Sequence, residues 1–185
     1  MRKLGAFGAD IASLAQFFDL LWSRPVAVLT ASDQAFLLNT AGFCLRALGR
    51  LREAVGPMQA GLQADIARED WKNAAIAANN LSELSLTLGD IAQAQAYATQ
   101  SVELADRSQD TGQRILSRAT LANALHQAGR QVEAEAAFRE AGAWQQEMQP
   151  AYPWLYSLQG FKYCELLLSQ GRWRRCNVGR RRQLT

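Results

Sequence analysis

The feature that most restricts what this chain can fold into is a glycine that returns at nearly constant spacing. It stands in Leu48-Gly49-Arg50, Leu88-Gly89-Asp90, Ala128-Gly129-Arg130 and Gln170-Gly171-Arg172, at intervals of 40, 40 and 42 residues. Self-similarity at such a period marks a repeat architecture, in which each unit buries its apolar face only against its neighbours. One turn beyond each of the first three glycines comes Ala54, Ala94 or Ala134, and one turn further Met58, Ala98 or Phe138. The segments on either side have a helical apolar period, as in Ile76, Leu81, Leu84 and Leu88 before one glycine and Ile91, Ala94, Ala98, Val102 and Ala105 after it. A helix must stop at the glycine, which reaches the left-handed conformation without a Cβ clash. The small residue that follows lets the next helix approach closely.

Polar clusters at Ala67 to Asp70, at Asp106 to Gly112 and at Gln149-Pro150 with Pro153 close each unit at its other end. Pro153 suits the first turn of a helix, where its missing N–H costs nothing. Each repeat therefore predicts two helices of roughly 16 to 18 residues, about 25 Å long. Ala and Leu dominate an apolar content of 49%, and only four prolines occur, so helix is favoured over strand throughout. Ahead of the repeats, Ala9 to Trp22 reads as an amphipathic helix presenting Ile11, Leu14, Ala15, Phe18 and Leu21. Ser23-Arg24-Pro25 breaks it, and its expected role is to cap the first repeat.

The order Leu121, Leu125, Gly129, Ala134, Phe138, Ala141 resembles the tetratricopeptide pattern, in which large residues of a first helix, a glycine turn and an alanine in a second helix recur. Repeat one matches through Gly42, Leu45, Gly49 and Ala54, and repeat two through Leu81, Gly89 and Ala94. The period is longer than the family's usual value of about 34 residues, and Ser82 and Ser85 replace the usual packing residues. A forty-residue period is similar to that of the C-terminal arrays of bacterial signalling ATPases of the NACHT or NB-ARC type. The resemblance implies an all-α, right-handed α-solenoid of antiparallel helical hairpins. Residues 1–32 would form the capping helix and linker, and 33–173 the repeats (33–70, 71–110, 111–150 and an incomplete 151–173). Residues 174–185 would be a basic, disordered tail.

In such a solenoid the first helix of every repeat lines the concave side, the usual contact surface. Aligned on their glycines, the repeats place Phe36, Asn39, Phe43 and Arg46 there, then Ile76, Asn79, Glu83 and Leu86, then Leu116, Ala119, Asn123 and His126. An asparagine amide offers a donor and an acceptor to the backbone of an extended peptide. The expected function is a non-catalytic interaction scaffold holding a peptide or helix in this groove. Arg46 and Lys162 are the basic residues available to a ligand carboxylate. The alternative is a sensor or regulatory fragment of a larger signalling ATPase.

Nothing in the sequence spells out a reaction: no phosphate-binding glycine loop, Gly-x-Ser-x-Gly turn or metal spacing occurs. His126, the one histidine, has no acid or nucleophile placed beside it by a motif, so it reads as an ordinary groove or surface residue. No enzyme activity, cofactor or metal is expected. Glu133, Glu135 and Glu140, like Arg114 and Arg118, read as solvated helix faces. The three cysteines lie far apart, which suits a reducing compartment. With no signal peptide or membrane span visible, a cytoplasmic location is expected.

The net charge of +3 is carried by the end of the chain. Up to Gln170 there are 14 basic and 17 acidic residues, whereas Gly171 to Thr185 holds six arginines and no acid. The second helix of repeat four is missing from this stretch. Synonymous codons for Arg172 to Thr185 include a choice that, read one base earlier, encodes Leu-Glu-Glu-Val-Gln-Arg-Arg-Ala-Ala-Gln-Thr-Val-Asp, an amphipathic helix. A truncated or frameshifted reading of a longer repeat protein is therefore favoured over a nucleic-acid-binding tail, a role that rests on the arginines alone. Phe161, Leu166 and Leu167 would then be partly uncovered, which predicts fraying or self-association at that end.

Overall fold

The computed structural model describes residues 6–152, 155 and 157–172. Pro153 at its helix start, the residues before Ala6, and Trp173 to Thr185 with the unfinished half-repeat lie outside them. The described chain is all-α apart from one short ribbon. Its elements are α1 (Phe7–Ala15), β1 (Phe18–Leu20), β2 (Arg24–Pro25), α2 (Ala31–Ala47), α3 (Leu51–Ala67), α4 (Trp71–Leu88), α5 (Ile91–Ser108), α6 (Thr111–Gln127), α7 (Gln131–Met148) and α8 (Ser157–Ser169). Helices α2 to α7 are 17 or 18 residues long.

The forty-residue period is written into the turns. Gly49, Gly89, Gly129 and Gly171 all have positive φ, between +70° and +84°. After each of them the next N–H returns to the preceding helix, as Arg50 does to the Leu45 carbonyl and Arg130 to Leu125, both at 2.9 Å. The turns between repeats also place a residue at positive φ without glycine, with Glu69 and Gln109 at φ 58° and 57°; Asp70 N–H returns to the Asp65 carbonyl at 2.9 Å, whereas Asp110 N–H goes to Ser108 Oγ at 3.2 Å. Aspartates then start the helices. The carboxylates of Asp70, Asp90 and Asp110 accept the N–H groups of Asn73, Gln93 and Gln113 at 3.3, 3.0 and 2.8 Å. Their regular spacing shows that the unit is two equal helix-and-turn halves.

Packing makes hairpins of α2 with α3, α4 with α5, and α6 with α7, with α4 also lying on α6 and α8 on α6 and α7. The first helices α4, α6 and α8 thus form an inner layer, with α2 beside α4 across a groove. Ala54, Ala94 and Ala134 are fully buried where the paired helices approach. A Cβ on Gly42 would lie 2.3 Å from Met58 Cγ, so α2 and α3 touch there only because the side chain is absent. One apolar cluster runs from Ile11 through α2 to α5, and a second holds Ile115, Leu125, Phe138 and Leu166 of α6 to α8. Between them lies a buried polar layer. In it Ser101 donates to Asn79 Oδ1 at 2.5 Å, and Asn79 Nδ2 and Gln113 Nε2 both donate to Ser117 Oγ, at 3.3 and 3.1 Å.

Two expectations are corrected. The N-terminal helix stops at Ala15 instead of reaching Trp22, and Phe18–Leu20 pairs antiparallel with Arg24–Pro25. The Phe-Phe-Asp-Leu-Leu-Trp run is rich in aromatic strand formers, and Trp22, at φ 60°, folds back edge-to-face on Phe18 with ring centroids 5.4 Å apart. Leu21 is consequently exposed. The shortened α1 still packs on α2, with Ile11 in the core and Phe7 edge-to-face on Phe43. At the other end Leu166 and Leu167 are buried, because α8 lies across α6 and α7; Phe161 does remain exposed. Among the described residues no helix is long and apolar enough to cross a membrane.

Candidate polypeptide-binding face

Among the described residues the inner layer carries separate concavities rather than one continuous groove. The first lies between α2 and α4, has a volume of about 390 Å³, and is lined by Phe36, Asn39, Phe43, Arg46 and Ile76 among others. Five of the twelve residues expected in the groove are therefore brought together. Phe36 and Phe43, seven positions apart on α2, are 67% and 51% exposed, and Ile76 faces them from α4 at 36%. Thr40, Asn73 and Asn80 complete the rim with polar groups.

Asn39 sits in the wall of this groove but is already engaged. Its Nδ2 donates at 3.0 Å to Asp65, which is 2% exposed, and a Cβ on Gly61 would lie 2.3 Å from its Oδ1. Asp65 also receives Arg68, which reaches on to Asp70. Burial pushes the Asp65 carboxyl above the usual carboxylate range, against the opposing pull of the Asn39 hydrogen bond and the Arg68 charge. A carboxyl whose folded pKa exceeds its unfolded one weakens the fold when ionised. That penalty is absent in acid and grows as pH rises through the interval between the two values. Asp65→Asn should therefore melt higher relative to wild type at neutral pH than below about pH 4. Thermal unfolding across pH checks this, and a gap that widens on acidification would contradict it.

Asn79 and Asn123, expected in the groove, are buried at 5% and 7% exposure. Asn79 ties α4 to α5 and α6 within the polar layer, so its amide is spent on the fold. Asn39 and Asn79 are equivalent, as their spacing implies, but both serve a contact with the second helix of their own hairpin.

Glu83 stands between the two concavities. It accepts from Arg46 of α2 at 3.0 Å and from Lys162 of α8 at 2.9 Å. Burial works to raise its pKa, but the bonds from Lys162 and Arg46 outweigh it and hold the carboxylate below its usual range. The two cations expected to be open to a ligand carboxylate are thus consumed by a carboxylate of the chain itself. Beyond this bridge a second pocket, about 310 Å³, opens between the ends of α4 and α6 and the face of α8, with Leu86, Asn123, Leu158, Phe161 and Glu165 in its walls.

His126 lies at 3.3 Å, through Nε2, from Ser169 Oγ, whose own proton goes to the Leu166 carbonyl at 2.7 Å. Arg118 is not on a solvated face: at 8% exposure it spans Asp106 and Glu140 and lies 4.0 Å from the Trp144 ring, with Arg114 stacked on the same ring at 3.9 Å. Glu135 is likewise paired, with Arg139 and Arg172. Sequence reasoning missed Asp65, Arg68, Phe161 and Glu165 at these sites, because each arrives from a second helix or from α8 and not from an aligned groove position.

No protein-family model matches the chain, and no curated protein is significantly similar to it. Among solved structures it is similar to BtubC (BKLC) from P. vanneervenii, with a TM-score of 0.71 and 13% identity over 96% of this chain and 72% of that one. Likeness at that identity extends to the fold. The chain has the fold of a helical-repeat protein.

Proposed function

We propose that the chain is a non-catalytic, tetratricopeptide-like interaction scaffold that holds a peptide or helix against the α2–α4 groove. The observation that carries this reading is the meeting of Phe36, Phe43 and Ile76, large apolar side chains exposed together in one polar-rimmed concavity of the inner layer. An apolar face of this kind is stabilised by anchors of a partner set at helical or extended spacing.

Selection of displayed random peptides against the full chain tests the reading. Binders should lose about tenfold in affinity for a Phe36→Ala, Ile76→Ala double variant that melts like wild type, since the truncated side chains are exposed. Peptides that bind both forms equally would place the contact elsewhere. The forty-residue period supports a second reading, in which the repeats are the sensor arm of a larger signalling ATPase of the NACHT or NB-ARC type. Groove occupancy would then change the nucleotide turnover of such an ATPase when the two are combined.

A further inference from the structure

We propose that the β1–β2 ribbon ahead of the repeats is a self-association seam, whose partner is the same ribbon of a second copy of this chain. The inference concerns the N-terminal segment and does not depend on the α2–α4 groove being a binding site.

The ribbon turns large apolar side chains toward solvent. Phe17, Leu20, Leu21 and Val28 are 47%, 59%, 54% and 88% exposed, and apolar surface concentrated in one short segment marks an interface. The turn that displays the two leucines is held at a cost. Trp22 takes φ 60°, a conformation that suits glycine or asparagine better than an indole side chain. Its Nε1 is buried without a hydrogen-bond partner among the described residues. This backbone sets the Trp22 ring on Phe18 and leaves Leu20 and Leu21 outward at the tip. Strain of this sort persists where it serves a contact.

Charge says what covers the tip. Asp19 and Arg24 flank it, with side chains 48% and 70% exposed, and at 3.8 Å they are too far apart to share a hydrogen bond. One acid and one base on a small apolar face make that face complementary to itself. A twofold axis through the turn sets Leu20 and Leu21 against their copies and Asp19 of each copy against Arg24 of the other, so every contact is made twice. Because α1 packs on α2, with Phe7 edge-to-face on Phe43, the pairing brings two α2–α4 grooves into one particle.

Sedimentation velocity on the full chain tests the seam. A reversible monomer–dimer equilibrium is expected, with a dissociation constant on the order of 10 μM for so small a contact. Leu20→Ser with Leu21→Ser should weaken it about tenfold without moving the melting temperature, since both side chains face solvent in the monomer. Phe161→Ser, on the exposed side of α8, should leave it unchanged. Asp19→Arg and Arg24→Asp should each weaken it about fivefold by setting like charges opposite one another. Mixed in equal amounts, these two charge variants should recover dimers that native mass spectrometry identifies as heterodimers. The ion pair within one chain is lost in both variants and does not account for such a recovery. A chain that stays monomeric at about 1 mM would overturn the proposal. So would a dimer that the leucine substitutions spare, a dimer that Phe161→Ser abolishes, or a mixture of the charge variants with no preference for heterodimers.

Discussion

Phe138→Ala should cost about 3–5 kcal/mol and lower the melting temperature by roughly 10 °C. Phe138 is fully buried at the centre of the α6–α8 cluster, where its ring stacks on Tyr163 with centroids 5.0 Å apart. Alanine at that position would leave a cavity bordered by Leu125 and Leu166, and α8 would lose the surface on which it lies. The loss should also be local. In a stack of repeats each unit contacts only its neighbours, so stability is close to a sum over units and interfaces. The polar layer at Asn79, Ser101 and Ser117 divides the two apolar clusters. Hydrogen exchange in the variant should therefore accelerate across α6, α7 and α8 well before α2 and α3. Equal acceleration along the whole chain would show that the polar layer transmits cooperativity instead of interrupting it.

Asn79→Ala is the second large effect, expected at about 2–3 kcal/mol. The substitution removes the acceptor for the Ser101 hydroxyl and one donor to Ser117, all at positions closed to water. Ser101 would be left with an unsatisfied donor, whereas Ser117 keeps Gln113. Adding Ser101→Ala should recover part of the loss, because the orphaned group goes with it. Affinity for a peptide selected on the α2–α4 groove should stay unchanged, since Asn79 does not line that groove. A variant that melts like wild type but binds such a peptide more weakly would return Asn79 to the binding surface.

These two residues also show where sequence patterns inform and where they mislead. Phe138 was legible: it follows Gly129 and Ala134 at helical spacing, and an apolar residue there has one place to go. Asn79 was legible as a repeat of Asn39 but not in its role. Whether an amide on an inner helix faces solvent or the neighbouring hairpin depends on a rotation of some tens of degrees about the helix axis, which a periodic pattern does not resolve. Arg118 failed in the same manner. Four positions from Arg114 it looks like half of a solvated pair, and only the arrival of Asp106, Glu140 and Trp144 from two other helices turns it inward. The capping segment failed for a different reason. A run of aromatic strand formers and leucines can satisfy a helical period by chance, and a ribbon is decided by the partner strand at Arg24–Pro25.

What the sequence determined by itself is the repeat. Gly49, Gly89, Gly129 and Gly171 each meet a local demand for positive φ, Asp70, Asp90 and Asp110 each satisfy N–H groups three residues on, and small residues mark the close approaches. All of these act within a turn or a hairpin, so they can be read along the chain. Tertiary structure alone decided how the inner face is divided. Glu83 takes one cation from a residue 37 positions before it and another from 79 positions after it. Such a bridge exists only once the repeats have stacked, because no interval along the sequence specifies which helices will face each other across the face they enclose.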